Sequence, residues 1–150
     1  MSTLAAIQDA SYARASDALH GSWPRDKAMS ADVLASFLDD RRYCVLATTA
    51  LQGHAQARPV GFVVVDGSFW FATVEGGRLR NVQRTPWVSV VITEGEGDAH
   101  RAVAADGPIT VVDGPTAEVL AAWEARFGSR AEWASAWFEL RPKRLYSHEA

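Results

Sequence analysis

The sequence predicts a mainly β protein with flanking helices, built around an antiparallel barrel. Short apolar runs recur between Tyr43 and Asp113, and turn signals separate them. The dipeptide Asp66-Gly67 lies between two of these runs and favours a tight hairpin, because both residues tolerate a positive φ angle. Many strands with hairpin turns and few crossover helices favour an antiparallel barrel over a doubly wound sheet.

The first 42 residues are predicted to form a helical extension of a single domain that spans residues 1–150. Residues 4–19 are rich in alanine and weakly amphipathic, and the segment HGSWP at residues 20–24 ends that helix. Ser30 then caps a helix. One face of this helix carries Val33, Leu34, Phe37 and Leu38. The pattern indicates packing and not chemistry.

The strands are predicted within residues 43–113. They are YCVLATT, ARPVGFVVV, SFWFAT and WVSVVIT, followed by residues 101–105 and 109–113 on either side of a predicted turn at Asp106-Gly107-Pro108. The remainder of the chain predicts a helix with Val119, Leu120, Trp123 and Phe127 on one side, which ends at Gly128. A capping box at residues 129–132 predicts a second short helix, and residues 138–146 predict a last strand.

The segment after the third strand carries the strongest functional signal. After Thr73 the apolar period changes from two to about four, and Leu79 and Val82 share one side until Thr85-Pro86 ends the helix. This helix begins with glycine and arginine directly after a strand. Free backbone N–H groups at a helix N-terminus, together with arginine side chains, suit a phosphate. The same pattern also fits a solvated arginine-rich surface, so it leaves both interpretations open.

The stretch LATTALQGHAQARPVGFVVVDGSFWFATVEGGRLRNVQRTPWVSVVIT, residues 46–93, resembles the pyridoxamine 5′-phosphate oxidase-like, FMN-binding split-barrel family. The resemblance extends to PKRLYSH near the C-terminus and covers about two thirds of the chain. It implies a split β-barrel. It also implies a homodimer in which two subunits pack barrel to barrel and each FMN lies in a groove between them.

The resemblance also implies a set of cofactor-binding residues. Arg58 is expected to reach the phosphate, and the backbone that follows it to bond the edge of the flavin ring. The Ser-x-Lys element of the family aligns with Gly76, Gly77 and Arg78, which keeps the positive charge and removes a hydroxyl. The complete expected set is Arg58, Pro59, Val60, Gly61, Ala72, Thr73, Gly77, Arg78, Arg101 and His148.

Other departures from the family pattern concern the reaction. Ala102 follows Arg101 where family oxidases carry glutamine, and His148 takes the position of a tryptophan. The oxidases also continue into a basic tail, so pyridoxamine phosphate is not the expected substrate. Two alternatives to an FMN-dependent oxidoreductase stay open. One is a deazaflavin-coenzyme-dependent reductase, in which Arg80, Arg84 and Arg101 would hold the longer acidic tail. The other is a non-catalytic flavin- or haem-binding protein.

Composition and motifs argue against several other classes of protein, namely nucleic-acid-binding, membrane-spanning and metal-binding proteins. The net charge of −3 and pI near 5.8 argue against a nucleic-acid partner. No apolar run of membrane-spanning length and no secretory signal is readable, which predicts a cytoplasmic protein with no membrane partner. The four histidines are scattered, so no metal site is expected, and no catalytic acid–base pair can be named. Cys44, within a strand, is expected to be a buried, inert thiol.

The expected function is therefore that of a flavin-dependent oxidoreductase acting on a small-molecule substrate. A flavoprotein needs no catalytic acid–base pair of its own, because the cofactor supplies the redox chemistry. Six tryptophans are a large aromatic content for a small barrel, which agrees with an interface between two copies. Trp70 and Trp123 are instead expected in the core.

Overall fold

A computed structural model describes residues 3–150. Its helices are α1 (Leu4–Arg14), α2 (Asp17–Ser22), α3 (Ala31–Asp39), α4 (Gly77–Arg84) and α5 (Ala117–Phe127). Its strands are β1 (Tyr43–Thr49), β2 (Ala55–Gly61), β3 (Val63–Val65), β4 (Ser68–Thr73), β5 (Trp87–Glu94), β6 (Arg101–Val112), β7 (Ala136–Leu140) and β8 (Arg144–Glu149). Short 3-10 turns occupy Arg25–Lys27 and Gly97–Ala99.

The strands form one antiparallel sheet that curls on itself. Their order is β2-β1-β5-β6-β7-β4-β3, with β8 paired to β6. Strands β2 and β3 lie at opposite ends of this order, yet only Phe62 separates them in the chain. The two ends of the sheet must therefore meet at Phe62, which confirms the predicted antiparallel barrel with flanking helices. The β3–β4 hairpin turns at Asp66-Gly67 with φ angles of 52° and 76°, as predicted.

The predicted turn at Asp106-Gly107-Pro108 is wrong, because β6 runs unbroken through these residues. Up to Asp106 the strand pairs with β8, and from Ile109 onward it pairs with β7. Gly107 lies at the change of partner, where a Cβ atom would stand 2.4 Å from the carbonyl oxygen of Arg141. The Gly-Pro step therefore marks a crossing between neighbouring strands and not a reversal of the chain.

The single strand predicted at residues 138–146 is two strands, β7 and β8. Pro142 stands between them and has no N–H to donate to a ladder. The flanking N–H groups of Arg141 and Lys143 donate to Pro108 and Asp106 on β6, at 3.2 and 2.8 Å. Because both new strands pair with β6, the break lets the chain move from one part of that long strand to another.

Helix α5 ends at Gly128 in the left-handed conformation, as predicted. The short helix predicted from the capping box at residues 129–132 is absent, and this segment is irregular. Ala131 adopts a φ of 56° and is buried beside Trp123 and Trp137. Burial of this methyl group fixes a left-handed residue where a helix would need the right-handed conformation.

The helix predicted over residues 4–19 is divided into α1 and α2, because the Ser16 hydroxyl caps a second helix by accepting from the Leu19 N–H at 3.2 Å. A buried polar network joins α1 to β8. The Gln8 amide donates to the Met29 carbonyl at 2.9 Å and accepts from the Ser147 hydroxyl. The Ser11 hydroxyl accepts from the Leu145 N–H at 3.0 Å, and the Tyr12 hydroxyl donates to the Ser147 carbonyl at 3.2 Å.

The apolar core has two parts. Leu34, Phe37 and Leu38 of α3 join the barrel interior, and the Ser30 hydroxyl caps the helix, both as predicted. A second cluster packs α5 against the outside of β3, β4 and β7, and it contains Trp70 and Trp123 as expected. No helix within residues 3–150 combines the length and apolar character needed to cross a bilayer.

Candidate functional site

An open cleft of about 380 Å³ lies where β1, β2, the end of β4 and the start of α4 meet. The strand register explains its walls. Leu46 pairs with Arg58, and Thr48 pairs with Gln56, so these four side chains project from the same side of the β1–β2 ladder. The segment from Thr73 to Arg78 closes the opposite wall.

Two arginines, Arg58 and Arg78, line this cleft, together with the carboxylate Glu75. Neither Arg58 nor Arg78 forms a salt bridge with any residue between 3 and 150. The Arg58 guanidinium donates only to the neighbouring carbonyl of Ala57, at 2.9 Å. Burial lowers the pKa of Arg78, and the charge of Arg58 lowers it further. Two like charges held together in a partly desolvated place cost free energy, which an anion between them would recover.

The N-terminus of α4 opens into the same cleft. Its cap is Gly76, so no side chain satisfies the first backbone N–H groups of the helix. A Cβ atom on Gly76 would meet nothing within 4 Å, which leaves the approach to these donors clear. The free donors and the positive end of the helix dipole add to the two arginine charges.

Asn81 fixes α4 in this position. It is 5 % exposed, and its amide nitrogen donates to Thr48 on β1 at 3.1 Å and to Gln56 on β2 at 2.9 Å. Its amide oxygen accepts from Arg84 at 3.0 Å. Because the helix is bonded to both strands of the opposite wall, its position relative to the β1–β2 ladder is fixed by hydrogen bonds.

Some of the expected cofactor-binding residues on β2 and β4 line the cleft, and others do not. Thr73 is buried and lines the cleft, whereas Ala72 points to the cluster under α5. Val60 lies in the barrel core, and Pro59 is exposed on the outer side of the sheet. A Cβ on Gly61 would stand 2.9 Å from the Phe127 ring, so this glycine lets α5 approach β2. Among residues 3–150, strand β2 pairs with β1 alone, which leaves the backbone on its other edge without a strand partner there.

Arg101 and His148 lie outside the cleft within this chain. Arg101 donates to Glu94 at 2.9 Å and stacks on the Phe37 ring, with 5.1 Å from its guanidinium carbon to the ring centre. His148 faces His100, with the ring centres 5.9 Å apart. The structure therefore brings together Arg58, Thr73, Gly77 and Arg78 but not these two. Any role of the ten residues in cofactor binding stays a prediction.

The buried thiol expected at Cys44 is confirmed. Burial raises its pKa to about 12, although the Arg78 charge acts in the opposite direction. The group therefore remains a neutral thiol near neutral pH, where a thiolate would be needed for nucleophilic attack. Among residues 3–150, no group of three or more potential metal ligands is found.

The sequence analysis missed several residues of the cleft. Gln56 is two positions before Arg58 on the same strand, so a period of two would have placed it on the same side. Antiparallel pairing across the turn then adds Leu46 and Thr48. Val74 and Glu75 follow β4 and line the cleft as well. No local pattern predicts these two, because they precede the helix in an irregular segment.

The family model of pyridoxamine 5′-phosphate oxidase matches residues 30–149. The chain belongs to this family. In this protein, the family match includes the whole barrel and every wall of the cleft. It begins at the cap of α3, so α1 and α2 lie before it. No curated protein matches the sequence significantly.

Solved structures share the fold of this family member. A conserved hypothetical protein, Rv2991 from Mycobacterium tuberculosis, is 24% identical with a TM-score of 0.76, over 85% of this chain and 89% of its own. An FAD-binding protein from Mesorhizobium loti is 20% identical with a TM-score of 0.65, over 81% and 93%. HutZ, the haem storage protein from Vibrio cholerae, is 21% identical with a TM-score of 0.67, over 79% and 94%. The fold alone therefore does not decide the ligand.

Proposed function

We propose that this protein is an FMN-dependent oxidoreductase that binds the cofactor phosphate in the cleft between β2 and α4. The observation that carries the proposal is the approach of Arg58 and Arg78, which lack carboxylate partners within residues 3–150, at the open N-terminus of α4. A dianionic phosphate would neutralise both charges. It would also accept hydrogen bonds from the backbone of the helix.

The residues of the cleft fit the rest of the cofactor as well. The Thr73 hydroxyl makes only a long contact of 3.4 Å, to the Val74 carbonyl, and so is available to the ribityl chain. The free edge of β2 offers backbone groups to the polar edge of the ring. When bound, FMN supplies the redox chemistry by accepting and donating hydride or electrons. The chain's own residues hold the phosphate and orient the ring, and a catalytic residue is not assigned.

A second copy of the chain is the proposed partner. The outer face of the β2-β1-β5 part of the sheet is apolar and exposed, with Tyr43 62%, Val45 40%, Trp87 44% and Val91 41% accessible. Val45 pairs with Val91 on one side and with Pro59 on the other. A continuous apolar sheet face of this kind is typical of a protein interface. The cleft residues Leu46 and Arg58 project from the other side of the same strands, so a second subunit on this face would shield the ring where it extends past the edge of β2.

We expect the purified protein to bind one FMN per chain. The measurement is a titration of the apoprotein with FMN, followed by flavin fluorescence and by the absorption spectrum of the complex. Titrations with the deazaflavin coenzyme and with haemin are the controls. Uptake of haemin with a Soret band and no uptake of FMN would replace the proposal with the haem-binding alternative.

We expect Val91→Glu to convert the protein from a dimer to a monomer, because it places a charge at the centre of the outer face. FMN affinity should fall at least tenfold in the same variant, since the family resemblance implies that each FMN lies in a groove between two subunits. Light scattering at micromolar concentration gives the oligomeric state. Trp133→Glu is the matched control, because Trp133 is 56% exposed in the segment before β7 and away from this face. A wild-type monomer that binds FMN tightly would contradict the shared groove.

A deazaflavin-dependent reductase would use the same phosphate cleft. It would also need further cations outside the cleft to hold the longer acidic tail of its coenzyme. Arg80 on α4 is exposed and forms no salt bridge within residues 3–150, so it is available to a longer acidic tail. Arg84 is held by Asn81, and Arg101 by Glu94. Only Arg80 of these three arginines lacks a partner within residues 3–150, which is little positive charge for a longer acidic tail. We therefore propose FMN before the deazaflavin coenzyme.

A further inference from the structure

Two cavities adjoin along one side of α1, away from the phosphate cleft. The larger, about 570 Å³, lies between the start of α1, helix α3 and the β3–β4 hairpin. The smaller, about 310 Å³, lies between the later part of α1, the same hairpin and the connection from β7 to β8. Both reach Asp66 and Gly67 at the tip of the hairpin, which makes them neighbours along the helix.

The larger cavity is apolar. Its walls come chiefly from Leu4, Leu34, Leu38 and Val64, and alanines at 31 and 35 leave the space open. The carboxylates of Asp39 and Asp66 stand at its exposed rim. Asp39 lies 4.0 Å from the Arg126 guanidinium, so its charge is partly compensated. An unbranched hydrocarbon chain matches a cavity with these walls.

The smaller cavity is cationic. Arg14, Arg141 and Lys143 line it, with Asp66 as the carboxylate. The Arg14 guanidinium donates to the Lys143 carbonyl at 2.9 Å, which holds both residues together at the end of α1. Arg141 is paired with Glu139 at 3.1 Å, whereas Arg14 and Lys143 have no ion-pair partner in the part of the chain that the structure describes. An anionic group therefore matches this end.

Helix α1, which lines both cavities, is a fixed wall. The buried hydrogen bonds of Gln8, Ser11 and Tyr12 attach its other side to β8. The helix also precedes the family match, which begins at residue 30. One wall of the paired cavities thus comes from α1, which lies before the family match, and the other walls come from residues within the match. The paired cavities share no lining residue with the phosphate cleft.

We propose that the paired cavities bind a medium-chain alkyl carboxylate, with the hydrocarbon chain in the larger cavity and the carboxylate beside Arg14 and Lys143. The arrangement provides an apolar place at one end and a cationic place at the other, in line along α1. Each methylene group that enters the larger cavity leaves water, so affinity rises with chain length until the cavity is filled. The site is independent of the proposed FMN site.

The test uses the purified full-length protein and calorimetric titration with hexanoate, octanoate and decanoate below their aggregation concentrations. We expect affinity to rise by about fourfold for each added methylene group. Decanol and decylammonium are the matched ligands, and both should bind at least tenfold more weakly than decanoate. Binding of decylammonium as tight as that of decanoate would assign the charge selectivity to Asp39 and Asp66 and overturn the proposal. Absence of decanoate binding would overturn it as well.

Variants separate the two ends of the site. Ala35→Phe fills the larger cavity and should lower decanoate affinity at least tenfold. If that variant does not fold, Ala31→Leu fills less of the same cavity and tests the same expectation. The double variant Arg14→Gln, Lys143→Gln should weaken decanoate about tenfold and leave decanol unchanged. Lys27→Gln removes an exposed cation elsewhere on the extension and should change neither. FMN affinity should stay constant in all of them. Equal weakening of decanoate and decanol in the double variant would refute the placement of the carboxylate.

Discussion

Replacing both cleft arginines, in Arg58→Gln with Arg78→Gln, should lower FMN affinity by about a hundredfold to ten-thousandfold. Each charge-assisted hydrogen bond to a phosphate contributes roughly 1.5–3 kcal/mol, and each 1.4 kcal/mol is about a factor of ten in the dissociation constant. Arg78→Gln alone should account for about tenfold to a hundredfold. The measurement is a fluorescence titration of each variant with FMN and with riboflavin.

Riboflavin isolates the phosphate contribution, because it has the same ring and no phosphate. Its affinity should change little in the double variant. Arg80→Gln is the matched control, since Arg80 is an exposed arginine on the same helix that does not line the cleft. If FMN and riboflavin weaken by the same factor, the two arginines act on the ring or on the fold and not on the phosphate.

The apoprotein offers a second measurement on the same variants. Burial lowers the pKa of Arg78, and the nearby charge of Arg58 lowers it further, so both effects disfavour the charged Arg78 in the folded apoprotein. Removal of Arg78 should therefore leave the melting temperature of the apoprotein unchanged or raise it. Charged side chains that destabilise the empty site and are stabilised by the ligand are typical of a ligand-binding site. A purely structural arginine would show the opposite result.

Replacing Arg126 should have the largest effect on stability. Its guanidinium, on α5, donates to the carbonyl of Phe62 at 2.6 Å, of Asp39 at 3.1 Å and of Leu38 at 3.3 Å. It also stacks on the Phe62 ring, with 5.1 Å to the ring centre. Arg126→Met keeps most of the apolar stem and removes the guanidinium donor from all three carbonyls, of which that of Leu38 keeps another donor, the Arg41 N–H at 3.3 Å. We expect the free energy of unfolding to fall by about 2–4 kcal/mol in urea denaturation.

Arg130→Met is the matched control for this measurement. Arg130 pairs with Glu124 at 2.8 Å on the surface of the same region, and both side chains are about half exposed. An exposed pair of this kind contributes less than about 1 kcal/mol. Arg126→Lys should fall between the two, since one ammonium group cannot reach three carbonyls in a fork. Equal losses for Arg126→Met and Arg130→Met would show that the three carbonyl contacts do not matter to stability.

Much of the fold follows from local sequence signals. The strands, the hairpin at Asp66-Gly67, the glycine-opened helix α4 and the end of α5 at Gly128 all depend on residues close together in the chain. The errors fall where distant parts of the chain decide. Gly107-Pro108 has the composition of a turn, yet its conformation is set by the approach of Arg141. Ala131 leaves the helical conformation because Trp123 and Trp137 bury it.

The walls of the cleft were also predictable in part. Arg58, Thr73 and Arg78 belong to three different elements, and the family resemblance was needed to associate them. Once β1 and β2 are paired, the register adds Thr48 and Gln56 without further information. The three carbonyls that Arg126 joins could not have been found, because a long side chain on α5 reaches backbone on α3 and at Phe62. Nothing in the local sequence records such a contact.

The polar attachment of α1 to β8 has a consequence for how the chain is made. The bond from Tyr12 to Ser147 spans 135 positions, and the bond from Gln8 to Ser147 spans 139. During synthesis α1 leaves the ribosome long before its partner strand β8. The nascent helix must therefore wait, with Gln8 and Ser11 still hydrated, until β8 has emerged. A ribosome stalled before residue 144 should carry a protease-sensitive α1, and emergence of β8 should protect it.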